Sequence, residues 1–502
     1  MKILLSGRLD FGPMARHLRA FLETLSKNKE NEIYIDSYYI NLFRADFFGT
    51  QELLNYYLQF DNVKLSKSPN EYDIGIFTDL LTLQYNDIYY KHFLLNKFKI
   101  KICYEVFDGS IPPLDWIDII NDNFDICSSP SAWVRDRLVK YGVKIPCFHL
   151  PCVVFNDDLL QMKPKKKSIY RFGFVGGAEQ RKNLLKVIQA FHMAFKNNTN
   201  VELYIHSAYS PEEDYINVCK YLVNEYQKFN NITFNLRKPL GTEEMYDLIS
   251  SFDFYIFPTK VTGYFTTPCE ALSVGIPIVI SDIPVHQELT ANLSAEDGVF
   301  LIKAKELDVM IHSYLGHKCL GAQFDMSAEE IAEQMLKAYS YKEKIFSIDK
   351  IEKRKQTARK YSLESLTKIY LNFIKPNNFI LSNINHITED NFYCNNRSLI
   401  KKFKSINNQI KIDKRDLTIQ DKYYINNEKK LNIIEDICRK IELDKISRLI
   451  PTPIIQDEFS QSKYLSKIKE KAKKYHAKEF PFLAYKLASF CFKLKRFFSF
   501  KN

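Results

Sequence analysis

Tyr170-Arg171-Phe172-Gly173-Phe174-Val175-Gly176-Gly177-Ala178-Glu179-Gln180-Arg181-Lys182-Asn183 is the stretch whose reading decides the fold. Tyr170 to Val175 predicts a strand, and the Gly176-Gly177 pair turns the chain into a helix running from Leu184 to Phe195. Just upstream, Met162-Lys163-Pro164-Lys165-Lys166-Lys167 joins a proline to a charge run without apolar periodicity. Such a segment is a linker, so residue 170 opens a second α/β unit.

On the N-terminal side, strands are predicted at Lys2 to Ser6, Glu32 to Asp36, Asp73 to Phe77, Lys99 to Tyr104, Asp125 to Ser128 and Cys147 to Val153. A helix starts near Pro13, and another follows Ser131 as its N-cap. Strand and helix in alternation imply a parallel, doubly wound sheet. On the C-terminal side, Val201 to His206, Ile232 to Leu236, Phe254 to Phe257 and Ile276 to Ser281 repeat the pattern. The expected organisation is a first α/β domain over 1–160, a second over 161–345, a helix within 346–376 (351–376), and an extension over 377–502. Eleven asparagines fall between Asn377 and Asn427, a bias that compositional drift explains without function.

Length and composition fit this partition. A chain of 502 residues exceeds one compact core, and an apolar share of 46% excludes overall disorder. Ten cysteines form neither Cys-x-x-Cys pairs nor Cys/His clusters at metal-ligand spacing, as buried thiols in a reducing compartment would. No signal-peptide core and no run of about 18 apolar residues is present, so a cytoplasmic location is expected. The net charge of +11 is concentrated: residues 461–502 carry 12 Lys/Arg against Glu470 and Glu479, or +10, leaving +1 for the rest. Aromatic residues interleave those cations, the pattern of a basic interfacial helix that would hold an anionic membrane surface, or else of a helix docked on the body. Nucleic acid is not an expected partner, because a near-neutral body lacks its electrostatic footprint.

In open α/β sheets ligands bind outside the carboxyl ends of the strands, so two facing sheets would enclose a cleft. At Gly176–Asn183 a flexible turn, exposed amides and two cations at a helix start are suited to phosphate. A surface turn with solvated charges fits the same residues equally well. In the strand-loop-helix-strand segment Pro258 to Asp282, Thr267 as N-cap, Pro268 and Glu270 are expected to form a capping box.

Several segments resemble, in order and spacing over residues 1–372, retaining GT-B glycosyltransferases of the family 4 type. Cys103-Tyr104-Glu105 with Pro112-Pro113-Leu114-Asp115-Trp116 resembles the family's Trp-Glu and Pro-Pro-x-x-Trp. Ser129-Pro130-Ser131-Ala132-Trp133 and Gly142-Val143-Lys144-Ile145-Pro146 resemble two further segments. Phe174-Val175-Gly176 with Arg181-Lys182-Asn183 is similar to the segment that holds the donor diphosphate. Gly263 and Pro268-Cys269-Glu270-Ala271-Leu272 resemble the helix carrying a Glu-x7-Glu signature, and Tyr361-Ser362-Leu363-Glu364 the helix that returns to the first domain.

The resemblance implies a GT-B fold: two facing Rossmann-like domains with a cleft between them, plus a helical C-terminal extension. It implies sugar transfer from a nucleoside-diphosphate sugar to a glycan or lipid-linked acceptor, with retention and without a cofactor or essential metal. Gly176, Gly177, Arg181, Lys182, Thr262, Gly263, Thr266, Thr267 and Glu270 would form the donor site, Lys182 on the diphosphate and Glu270 on the ribose. Glu105 and Asp108 are the candidate catalytic carboxylates, either of which would orient the acceptor hydroxyl. Two positions depart from the family. Its first signature glutamate falls at Thr262 and its phosphate-loop arginine at Gly177, with Arg181 placed to supply the missing guanidinium. These departures also motivate a rival expectation, a catalytically silent GT-B partner in a glycan-assembly complex.

Overall fold

The structure is a computed structural model that describes residues 1–9, 12–36, 55–66, 70–81, 88–165, 168–207, 213–236, 240–307 and 323–375. The extension over 377–502, including its basic segment, lies outside the described residues.

Seven strands form the first sheet: β1 Lys2–Ser6, β2 Glu32–Ile35, β3 Val63–Leu65, β4 Glu71–Phe77, β5 Lys97–Tyr104, β6 Ile126–Ser129 and β7 Cys147–His149. Their order is β3-β2-β1-β4-β5-β6-β7, with every pair parallel. The second sheet contains β8 Tyr170–Val175, β9 Val201–Ser207, β10 Asn231–Leu236, β11 Phe254–Phe257, β12 Ile278–Ser281 and β13 Val299–Ile302. It is also parallel, in the order β10-β9-β8-β11-β12-β13. Near-continuous apolar strands such as Phe254–Phe257 and Ile278–Ser281 are buried throughout, as a parallel sheet covered by helices on both faces requires. A short antiparallel pair, β14 Lys305–Leu307 and β15 Gln323–Asp325, lies apart from both sheets.

Strand order reverses between β1 and β4 in the first sheet and between β8 and β11 in the second. These are the switch points at which helices diverge to opposite faces and a crevice opens beyond the strand ends. The turn after β8 begins at Gly176, which puts the candidate phosphate loop at the second switch point.

The expected single helix over 351–376 is instead two, Ile348–Arg359 and Leu363–Phe373. Ser362 ends the continuity: its backbone is extended, and its side chain accepts a hydrogen bond from Ser365 N as N-cap of the second helix. The first helix stays with the second domain, where the buried Arg354 guanidinium donates to the carbonyls of Gly275, Asp297 and Ile345. The second helix packs on Pro13–Leu25 of the first domain, and Tyr370 Oη donates to Pro151 O at 2.9 Å.

Candidate functional site

The expected helix Leu184–Phe195 is present, but the turn after β8 does not lead straight into it. Gln180–Lys182 forms a single 3-10 turn, and Asn183 adopts a left-handed conformation (φ 62°) before the helix Leu184–Phe195 begins. Arg181 and Lys182 therefore sit on the loop that precedes the helix rather than on its first turn. The loop is pinned from both sides: Ala178 N donates to Ser207 Oγ, while Lys260 N (2.7 Å) and Thr259 Oγ1 (3.1 Å) donate to Arg181 O.

Arg181 is engaged on both sides of the cleft. Its Nε lies 2.6 Å from Glu179 Oε2, and its Nη1 lies 3.2 Å from Asp108 Oδ2 of the first domain. The Glu179 carboxylate folds over Gly177, where a Cβ would lie 2.3 Å from Oε1. A side chain at 177 would have to displace the end of the Glu179 side chain, which the Arg181 pair holds in place. Lys182 Nζ lies 4.5 Å from the centre of the Phe257 ring. Burial, then the adjacent Arg181 charge, push its ammonium down to about 7. Below it, His286 donates through Nδ1 to Ser281 O (2.8 Å), while its buried Nε2 has no hydrogen-bond partner. Burial holds that ring down to about 4, so it is neutral.

The expected capping box at Thr267 and Glu270 does not form. The helix starts one residue earlier, at Thr266, with Phe265 as an N-cap that offers no side-chain acceptor. The Thr267 hydroxyl shares a 2.7 Å hydrogen bond with Tyr255 Oη, which occupies it. Glu270 then lies beyond the first turn with no capping role. It is half-buried, and burial raises its carboxyl to about 7 against the opposing charges of Arg16 and Arg19. Thr262 is buried and donates to Tyr264 O at 2.7 Å, so its hydroxyl serves the loop.

Gly263 marks where the domains meet. Its amide donates to Asp108 Oδ1 at 2.7 Å, and a Cβ there would lie 2.3 Å from Val106 Cγ2 and 2.7 Å from Phe107 O. Only glycine permits that approach. Beside it, Tyr264 Oη donates to Cys152 O, and Glu288 accepts from the amides of Ala132 and Trp133 at the N-terminus of helix Ala132–Lys140. Sequence reading missed Tyr264 and Glu288, since neither lies in a recognisable motif.

Glu105 follows β5 and is 1% exposed. Neither of its carboxylate oxygens has a hydrogen-bond partner, and burial, with Asp79 nearby, raises its pKa well above the carboxylate range. Asp108, in contrast, is committed to Gly263 and Arg181. The structure thus gathers Asp108, Arg181, Lys182 and Gly263 in the cleft, with Gly176 and Gly177 on the same loop. Thr262, Thr266, Thr267 and Glu270 lie on the loop and helix after β11. A separate groove of about 470 Å³ between helix Glu213–Tyr226 and edge strand β10 contains none of these residues.

Residues 157–309 match the family described as "Glycosyl transferases group 1". No curated protein matches the chain. Among solved structures, a glycosyltransferase from Rickettsia africae is 13% identical, with a TM-score of 0.53 over 78% of this chain and 99% of its own. HepE from Anabaena, solved with UDP and glucose, is 11% identical with a TM-score of 0.53 over 74% of this chain and 99% of its own. Sucrose-phosphate synthase from Thermosynechococcus elongatus is 11% identical with a TM-score of 0.51 over 74% and 98%. The two parallel sheets and these likenesses define a GT-B fold with a group 1 glycosyltransferase domain in its second half.

Proposed function

We propose that the protein moves a sugar from a nucleoside-diphosphate sugar to a glycan or lipid-linked acceptor, with retention of configuration and without an essential metal. The observation that carries this reading is the loop Gly176–Asn183 at the second switch point, which presents Arg181 and Lys182 to the cleft. In the reaction the anomeric carbon–oxygen bond to the diphosphate breaks, the acceptor oxygen takes its place, and the hydroxyl proton leaves with the diphosphate. Fixed cations in a closed cleft stabilise the charge that develops on that leaving group. Arg181 stands in for the arginine that Gly177 replaces, and Glu270 accepts from the ribose hydroxyls. Anabaena HepE, with UDP and glucose, supports a nucleotide-sugar donor by likeness of fold.

Among the described residues no helix is long and apolar enough to cross a membrane. The charge of +10 over 461–502 is the basis for proposing peripheral attachment to anionic lipid at a cytoplasmic surface, at about 1 kcal/mol per engaged cation. Calorimetric titration with UDP-, GDP- and CDP-sugars tests the donor reading. Saturable heat with one of them is expected, and none with any would leave the silent-partner alternative.

A further inference from the structure

The backbone bonds inside the loop Gly176–Asn183 are short-range: Glu179 N to Gly177 O, Lys182 N to Glu179 O and Asn183 N to Gln180 O. A single 3-10 turn ending in a left-handed Asn183 does not fix its own place in the cleft, so that place is set from outside. Arg181 O is one held point, accepting from Lys260 N at 2.7 Å and Thr259 Oγ1 at 3.1 Å. Lys260 is held in turn, since its carbonyl accepts from Phe324 N at 2.9 Å. Phe324 is the central residue of β15 and pairs in register with Glu306 of β14.

The far end of the loop is tied to the same hairpin. Lys186, in the first turn of helix Leu184–Phe195, donates from Nζ to Asp325 Oδ1 at 2.6 Å and to Met326 O at 2.7 Å. Its side chain and that of Asp325 are 27% and 22% exposed, so the pair is screened less than one on the open surface. Lys305 stands directly opposite Asp325 across the hairpin, a cross-strand pairing of opposite charge. The hairpin belongs to neither sheet. Its bonds run instead to both supports of the candidate phosphate loop, the Lys260 main chain and the helix that follows Asn183.

Resting on the glycosyltransferase reading, we propose that the β14–β15 hairpin braces the donor loop, with Lys186, Phe324 and Asp325 as positioning residues that hold Arg181 and Lys182 where a nucleoside diphosphate meets them. Asp325 acts through Lys186, and Phe324 acts through the main chain of Lys260. Without the brace, ordering the loop draws on the free energy of binding, and affinity falls. The competing role for Lys186 and Asp325 is a plain structural tie between helices Leu184–Phe195 and Ala328–Ser340, which pack on each other. Lys182 tells the two apart. It is desolvated beside the Phe257 ring, and the charges that bear on it are those of Arg181, Asp108 and Glu179, all off the hairpin. Removing the Asp325 charge therefore reaches Lys182 by moving the loop.

The full chain is titrated by calorimetry with UDP-, GDP- and CDP-glucose between about pH 6 and pH 10, a range that spans the lowered and the ordinary lysine pKa. Asp325→Asn removes the carboxylate charge and Phe324→Pro the amide donor, whereas Lys186→Arg keeps the cation and Phe324→Leu the amide. In the unmodified chain, donor affinity should fall above about pH 7 as Lys182 loses its proton. Asp325→Asn and Phe324→Pro are expected to weaken donor binding about five- to tenfold at neutral pH. They should also carry the alkaline fall toward the ordinary lysine value of about 10.4, because a loosened loop lets water reach the ammonium. Lys186→Arg and Phe324→Leu should stay within about twofold of the unmodified chain. Unchanged affinity in both Asp325→Asn and Phe324→Pro overturns the brace. So does a loss that accompanies a lowered melting temperature while the alkaline fall stays in place, since a structural tie alone gives that result. Should Phe324→Pro fail to fold, Asp325→Asn decides by the same two measurements. An unmodified chain that binds none of the three sugar nucleotides would instead refute the glycosyltransferase reading.

Discussion

The carboxyl edges of the two sheets are built from opposite chemistry. Beyond the first sheet stand Asp79, Glu105 and Asp108, with Glu105 buried and unpartnered. Beyond the second stand Arg181 and Lys182, both in contact with other groups: two carboxylates for the arginine, an aromatic face for the lysine. The two edges meet in the ion pair of Arg181 with Asp108. Acid on one wall and base on the other suits a cleft that holds an anionic donor against one wall and a hydroxyl-bearing acceptor against the other. The engaged cations add a second point. Under the proposed function, a donor diphosphate would have to compete with Asp108 and Glu179 for Arg181, while Lys182 has only a π face and nearby charges to give up.

Removing the lysine therefore tests the basic wall most severely. Lys182→Ala is expected to weaken nucleotide-sugar binding by about 30- to 100-fold, on the order of 2–3 kcal/mol for charge-assisted contacts to a diphosphate. The fold should persist, since a cation desolvated in the free protein contributes little to stability. Unchanged donor affinity by calorimetry would take Lys182 out of the site. A smaller effect is expected from Glu270→Gln, about tenfold in donor affinity. Because Glu270 caps no helix, its melting temperature should match that of the unmodified chain, and a fall in stability without loss of affinity would overturn the ribose role.

Acidity sharpens the same contrast. Lys182 in the free protein titrates at about 7, and a bound diphosphate favours its charged form, so donor affinity should fall as pH rises above about 7. Glu270 also titrates at about 7, raised by burial, and loses its anionic acceptor as pH falls. Affinity should therefore peak near neutrality. The stability slopes differ in sign. The lowered lysine pKa makes the unfolded chain bind more protons above pH 7, so stability rises there toward the ordinary lysine range. The raised Glu270 pKa makes the folded chain bind more protons, so its share of stability is lost as pH climbs through about 7. Calorimetry across pH 5.5–9 reads the affinity curve, and Lys182→Ala should flatten its alkaline limb alone.

Much of this architecture is legible in the chain, for identifiable reasons. Strands of four or more buried apolar residues next to helical periodicity stand out, as at Tyr170–Val175 and Phe254–Phe257. Two edge strands do not: Val63–Leu65 has three residues, and Val299–Ile302 has only four, although an Asp297-Gly298 turn with a left-handed Gly298 directly precedes it. The capping box at Thr267 was a sound local pattern that lost to a tertiary contact, because Tyr255 claims the threonine hydroxyl. In the site, the candidate phosphate loop stands out in the sequence because its residues are consecutive. The Asp108 contact with Gly263 joins residues 155 positions apart, a separation that no local pattern encodes. Ser362 is the exception among the misses. Its side chain ahead of Leu363-Glu364 was a helix-start signal, and reading it would have divided the last helix correctly.

The mildest expected effect concerns the contact that holds the two walls together away from the chemistry. Glu288 places its carboxylate against the amides of Ala132 (3.1 Å) and Trp133 (2.8 Å), at the positive end of helix Ala132–Lys140. A carboxylate in that position stabilises a helix terminus by about 0.3–1 kcal/mol. Burial raises its pKa, so part of the electrostatic gain is offset by desolvation. Glu288→Ala should therefore lower the melting temperature by only about 1–2 °C in a chain of this size. Its clearer signature is geometric: without the contact the domains separate more readily, and small-angle scattering should show a larger radius of gyration that donor binding reverses. Glu288→Gln keeps an oxygen acceptor and should fall between the two. An unchanged radius of gyration in Glu288→Ala would show that Asp108, Gly263 and Tyr264 hold the cleft closed without it.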